Sequence, residues 1–167
     1  MTVRPLIGLL LLLVVTGCGF HLRTWNLEGA VETARITANA RNPLAEPLGR
    51  ALQSAGVALI EDGSAADVVV ELLADERGRR SVSVTDQARA AEYETSLRVR
   101  YAVRGRDGEM LLDPTWVQAT RIYRVDRDNL VGSSQEQALL EREMVTDLVQ
   151  QVIRGLNAVT KEASGAS

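Results

Sequence analysis

Between Glu92 and Gly105 the sequence alternates without a break. Tyr93, Thr95, Leu97, Val99, Tyr101 and Val103 fall on one side, and Glu94, Ser96, Arg98, Arg100, Ala102 and Arg104 on the other. Successive side chains of an extended chain point to opposite faces, so this period requires a β-strand. The first set faces a core and the second faces water or a partner. Asp107-Gly108 follows at once, and this pair tolerates the positive φ of a two-residue type I′ hairpin turn. Such a turn pairs Arg106 with Glu109, and the register continues to Val103–Leu112, Val99–Trp116 and Tyr93–Ile122 on the core face. On the outer face it sets Glu94 against Arg121, an opposite-charge cross-strand pair. Pro114 falls opposite Tyr101, which makes the second strand of the hairpin an edge or bulges it there.

The remaining elements have to supply a sheet and a cover for this hairpin. Val31–Ala38 reads as a first strand. Asn42-Pro43 marks a helix start, with Asn as N-cap and Pro at the first helical position, and Leu44, Leu48 and Leu52 form one apolar stripe. Pro47 would remove a backbone bond inside that helix, so the regular turns begin at Glu46 or Pro47. Gly56 stops the helix. Val57–Ile60 is a short apolar run, 61–64 a loop, and Asp67–Leu73 a strongly apolar strand. Strand–helix–strand order implies a right-handed parallel crossover. Residues 76–84 either continue that strand or open a loop. After a polar loop from Val125 to Gly132, a final helix begins at Ser133 or Ser134, each of which fits a capping box. Its core stripe is Val145, Val149, Val152, Leu156 and Val159, with Leu140, Met144 and Leu148 beside it. The order β-α-β-β-β-α predicts a two-layer α+β sandwich, a four-stranded mixed sheet with two helices on one face.

The N-terminus adds an address. Arg4 precedes a ten-residue apolar run from Leu6 to Val15, too short to span a bilayer and the right length for a secretory signal. Thr16-Gly17-Cys18 follows, and the whole reads as a lipobox with Cys18 as the lipidation site. An ordinary signal peptide with an incidental cysteine is the alternative. One acyl chain gives marginal membrane binding, whereas the three of a mature lipoprotein hold it durably. Gly19, rather than Asp, argues for sorting to the outer membrane. The expected organisation is a signal peptide at 1–17, a lipidated tether at 18–30, one domain at 31–160 and a flexible tail at 161–167. The tether carries Phe20, Leu22, Trp25 and Leu27, which either pack along the domain or meet a membrane interface.

Composition narrows the chemistry. The net charge of −3 becomes −4 once Arg4 is removed with the signal, which argues against nucleic acid as a partner. The only cysteine is the anchor, so no disulfide and no thiol nucleophile remain. The only histidine, His21, sits three residues from the anchor. No metal-ligand spacing or glycine-rich phosphate loop is present. Carboxylate-only chemistry stays open, but no catalytic constellation is recognisable.

Several short stretches, in order, resemble the LptE family of LPS-assembly lipoproteins. They are Cys18-Gly19-Phe20-His21-Leu22-Arg23, Pro47-Leu48-x-Arg50-Ala51-Leu52, Ala91-Glu92-Tyr93, Arg121-x-Tyr123, Glu136-Gln137 and Arg142-Glu143-Met144. Thr24 stands where the family often has Gly. The resemblance implies the two-layer sandwich and no cofactor, metal or catalytic step. It implies a lipoprotein, anchored at the periplasmic side of the outer membrane, that helps an LptD-like β-barrel assemble, plugs it, and binds lipopolysaccharide in transit. The resemblance implies a basic residue near Asp86, in the loop before Ala-Glu-Tyr, where this chain has an acid with Arg89 three residues later, so no exact residue carries over. The candidate lipopolysaccharide-binding residues are therefore Arg77, Arg79, Arg80 and Arg89, whose planar forks suit phosphate; the alternative is a solvated turn. The outer row Arg98, Arg100 and Arg104 faces either a barrel interior or solvent. The competing function is a free periplasmic lipid-binding lipoprotein auxiliary to a lipid transporter.

Overall fold

The computed structural model describes residues 31–84, 90–126 and 130–165. Cys18 and Arg89 lie outside the described residues. In chain order the elements are β1 (Thr33–Ala38), α1 (Ala45–Ser54), β2 (Ala58–Leu59), β3 (Val68–Val84), β4 (Ala90–Gly105), β5 (Met110–Asp126) and α2 (Leu130–Gly165). The sheet order is β2-β1-β3-β4-β5. β1 is parallel to both β2 and β3, while β3, β4 and β5 form an antiparallel meander. The expected α+β architecture with a mixed sheet and two helices is present, but the sheet has five strands where four were expected. The extra strand is β2, part of the short apolar run at 57–60. It is built from backbone bonds alone, Ala58 N–H to the Glu32 carbonyl (2.8 Å) and Ile60 N–H to that of Ala34 (3.0 Å), so its side chains carry no period.

α1 starts at Ala45 with Leu44 at the N-cap position and no side-chain cap. Asn42 is not the N-cap; its Oδ1 accepts from the Leu44 N–H (3.0 Å) in the preceding turn. Pro47 is tolerated because the first intrahelical donor is Leu48 N–H, bonded to the Leu44 carbonyl (2.8 Å). At the other end, Gly56 takes a φ of 86°. Val57 N–H reaches the Leu52 carbonyl and Gly56 N–H that of Gln53, both at 3.0 Å, a Schellman closure that turns the chain into β2. Asp67 then clamps the two parallel strands together. Its Oδ2 accepts from the N–H groups of Glu32 (2.9 Å) and Thr33 (2.8 Å) and from the Thr33 hydroxyl (3.0 Å).

The hairpin corrects the expected register. Gly108 N–H bonds to the Gly105 carbonyl (3.0 Å) and Gly105 N–H to that of Glu109 (2.9 Å), with Gly108 at φ 82°. The loop is thus Arg106-Asp107-Gly108, three residues ending in a left-handed glycine, and not the two-residue Asp107-Gly108 turn. Val103 does face Leu112, but irregularities on both sides of Val103 slip the pairing. Beyond them Val99 faces Val117, Tyr93 faces Tyr123, Glu94 faces Ile122 and Thr95 faces Arg121. A one-residue slip turns every side chain over. Val117, Ala119 and Tyr123 are therefore buried, while Trp116 and Ile122 are 39% and 60% exposed. β5 is a sheet edge, as Pro114 requires.

α2 begins at Leu130, ahead of the expected Ser133 or Ser134. Ser134 sits inside the helix and bonds back to the Val131 carbonyl (2.8 Å). The helix runs on to Gly165, through much of the stretch expected as a flexible tail. Its buried stripe, Met144, Leu148, Val149, Val152, Ile153 and Leu156, joins Leu48 and Leu52 of α1 and the inward residues of β3, β4 and β5 in one core cluster.

Candidate functional site

The two helices do not cover the sheet equally. α1 has ten residues and extends about 15 Å, at 1.5 Å per residue. β3 has 17 residues and extends about 55 Å, at roughly 3.3 Å per residue. Over the far half of β3 and β4 the helical layer therefore contains α2 alone. The gap is a cleft of about 1000 Å³. Its end is made by Pro47 and Arg50 of α1, its floor by Arg77 and Arg79 of β3 with Thr95 and Leu97 of β4. Its side wall is α2, from Gln137 to Thr146, including Met144 and Val145.

A β-bulge aims the β3 arginines into this cleft. Val70 and Leu72 face the core, opposite Val103 and Tyr101. The register then skips Leu73, because Leu72 faces Tyr101 and Ala74 faces Arg100. One extra residue switches which positions point inward. Past it Asp75, Arg77 and Arg79 face Val99, Leu97 and Thr95, all of which point inward, while Glu76 and Arg80 face Arg98 and Glu94 on the other side. Residues 76–84 thus continue the strand and do not open a loop.

The four candidate arginines consequently part company. The Arg77 side chain makes no hydrogen bond or ion pair among the described residues and lines the cleft. Arg79 also lines it, with its guanidinium carbon 4.0 Å from the Tyr93 ring centroid and 5.7 Å from that of Tyr123. A guanidinium stacked on a ring keeps its in-plane N–H donors free. The stack is braced from α2, since the Tyr123 hydroxyl donates to Gln137 Oε1 (3.2 Å) and Gln137 Nε2 donates to Glu141 Oε1 (3.1 Å). Arg80 lies on the opposite face, where both arms of its fork are held by Glu94 (2.7 and 2.9 Å). That hydrogen bond holds the Glu94 carboxyl below its ordinary range. Arg89 is outside the described residues.

Two further arginines complete the cleft, Arg50 from α1 and Arg142 from α2. Arg50 pairs with the exposed Glu46, and Arg142 Nε donates to the Ala138 carbonyl (3.2 Å). The sequence signal for both was present, because each stands in a stretch that carried the family resemblance. What the sequence does not reveal is that a helix gap brings them to Arg77 and Arg79. Against these four cations the cleft sets one carboxylate, Glu141, beside an apolar surface of Leu97, Met144 and Val145. This arrangement suits an amphiphilic anion. Among the described residues no group of three or more His, Cys, Asp or Glu could hold a metal ion, and no helix is long and apolar enough to cross a membrane.

The outer face of the sheet is different in kind. Most of its arginines are matched across strands, Arg98 with Glu76, Arg104 with Glu71 (3.1 Å) and Arg124 with Glu92 (3.1 Å), while the Arg100 side chain has no ion pair among the described residues. Arg98 also lies 4.5 Å over the Trp116 ring.

Residues 29–156 match a protein family described as LptE, lipopolysaccharide-assembly. The LPS-assembly lipoprotein LptE of Photorhabdus laumondii is 30% identical over 155 residues, covering 90% of this chain and 82% of that protein. The protein of the same description from Pectobacterium atrosepticum is 25% identical over 153 residues, covering 88% and 80%. Among solved structures, the fold resembles the solution structure of an uncharacterized lipoprotein B from Nitrosomonas europaea (TM-score 0.73, 23% identity, 86% of this chain and 93% of that one). It also resembles the crystal structure of the rare lipoprotein B from Shewanella oneidensis (TM-score 0.68, 20% identity, 79% and 98%).

Proposed function

The chain belongs to the LptE family of lipopolysaccharide-assembly lipoproteins, and from that premise we propose that its cleft is where it binds lipopolysaccharide. The lipid moiety of lipopolysaccharide is a phosphorylated glycolipid, and the observation that carries the reading is the cleft's composition. Among the described residues the Arg77 side chain has no hydrogen-bond or ion-pair partner and Arg79 is held by ring stacking, so both forks are open to a phosphate, next to Leu97 and Met144. Charge-assisted bonds of this kind contribute about 1.5–3 kcal/mol each. In the same reading, acylated Cys18 holds the protein to the inner leaflet of the outer membrane. The domain accompanies an LptD-like β-barrel there, assisting its assembly and occupying its lumen. The protein's part is to hold and hand on the glycolipid, with no bond made or broken.

The test uses the full-length acylated protein. Replacing Arg77 and Arg79 together with Glu should weaken lipopolysaccharide binding at least tenfold, and unchanged binding would discard the cleft. Recovery of the protein from membranes together with a large β-barrel supports the assembly role. Recovery alone with bound phospholipid would instead favour a free lipid-binding lipoprotein.

A further inference from the structure

The cleft is much larger than a phosphate needs. A phosphate occupies the space of a few water molecules, each about 30 Å³, whereas the cleft holds about 1000 Å³. That volume is at the upper end of the range for small-molecule sites, about 300–1000 Å³. Its polarity is also divided. The guanidinium groups come from Arg50, Arg77, Arg79 and Arg142, while Leu97, Met144 and Val145 offer apolar atoms. Leu97 and Met144 are 4% and 2% exposed, so they form a floor continuous with the protein's core. A methionine in such a floor adapts to chains of different shape.

We propose that this floor takes an acyl chain of the same phosphorylated glycolipid whose phosphate meets Arg77 and Arg79. The inference rests on the binding role proposed for the cleft and adds to it which part of the ligand lies where. The charge balance of four arginines against Glu141 excludes a cationic amphiphile, and an uncharged lipid would leave the arginines unused. A phosphate at the arginines fixes the headgroup, and the chain then lies between β4 and α2, filling the strip that α1 is too short to cover. Chain burial makes binding depend on length, by about fourfold for each CH2 taken fully out of water.

The experiment embeds the full-length acylated protein in a bilayer and adds a bisphosphorylated glycolipid with a diazirine midway along one acyl chain. After irradiation, the labelled residues are mapped by mass spectrometry. The expected labels fall on Leu97, Met144 and Val145. A second variant, Ala138→Trp, fills the cleft from an exposed helix position, so folding is not at stake. It should lower that labelling at least fivefold. Labels confined to the outer sheet face, or cleft labelling unaffected by Ala138→Trp, would overturn the inference. The Arg77→Glu/Arg79→Glu protein separates it from the reading beneath. Cleft labelling that survives in that protein keeps the acyl site and removes the phosphate assignment. Binding lost there, with labels outside the cleft in the unmodified protein, does the reverse.

Discussion

At Gly155 an added Cβ would stand 2.1 Å from the Tyr101 hydroxyl oxygen and 3.4 Å from the ring carbon that bears it. The glycine is what lets α2 lie against β4 at that height. Alanine is the better helix former by about 1 kcal/mol, yet Gly155→Ala should destabilise the domain by about 1–2 kcal/mol, because overpacking a rigid buried ring outweighs that gain. Adding Tyr101→Phe should recover most of the loss, and urea titration of the single and double variants checks it. Asp67 gives a pH signature. Burial raises its carboxyl, but the N–H groups of Thr33 and Glu32, the Thr33 hydroxyl and Arg106 outweigh this and hold it below its ordinary 3.8. A carboxyl with a depressed folded pKa stabilises fully above its unfolded value, about 3.9, and loses that contribution as pH falls through the folded value. Asp67→Asn should therefore cost more stability at pH 7 than at pH 2, read from unfolding curves at the two pH values. At the cleft, Tyr93→Leu keeps an apolar side chain but removes the stack under Arg79. Lipopolysaccharide binding should weaken about two- to fivefold, the usual worth of an exposed cation–π contact.

Among the elements, the Leu73 bulge sets which positions of β3 point inward. Deleting Leu73 should remove the bulge and leave Leu72 opposite Tyr101 and Ala74 opposite Arg100 in an unbroken alternation, so Arg77 and Arg79 still face the cleft. Binding should then stay within about twofold of the unmodified protein, in contrast to the loss when the arginines are replaced, while circular dichroism still shows the sheet and both helices. The bulge also shows where sequence reasoning stops. The alternation of β4 was readable because each face has one character, and its six inward positions are the ones expected. Leu73 closes a continuous apolar run, Val68–Val70 and Leu72–Leu73 around Glu71, in which one extra residue leaves no mark. The slip along β5 was hidden for another reason. Trp116 and Ile122 look like core residues, and large apolar side chains on a surface are ordinary. At Val103–Leu112 the expected pairing still holds, and it is the next irregularity, between Tyr101 and Val103, that turns them outward. The cleft is legible only through lengths, a ten-residue helix over strands of 16 and 17 residues.

The whole molecule has two faces with different electrostatics. The outer sheet face neutralises itself through Arg80–Glu94, Arg98–Glu76, Arg104–Glu71 and Arg124–Glu92. Exposed pairs of this type add little stability, about 0–1 kcal/mol each, but they leave few cations free for an anionic ligand. On the cleft face the Arg77 side chain has no partner among the described residues and Arg79 is held by ring stacking alone. Membership of the LptE family places both faces on a lipoprotein of lipopolysaccharide assembly. Cys18→Ala should release the protein from the membrane fraction without altering the domain's ligand affinity. The central claim is that the cleft face binds the glycolipid, and two variants with equal charge change test it. Lipopolysaccharide affinity is measured for full-length Arg77→Glu/Arg79→Glu and for full-length Arg80→Glu/Arg98→Glu. The account expects at least a tenfold loss for the first pair and less than a twofold change for the second. Equal losses would mean that net charge alone governs binding, and would contradict it.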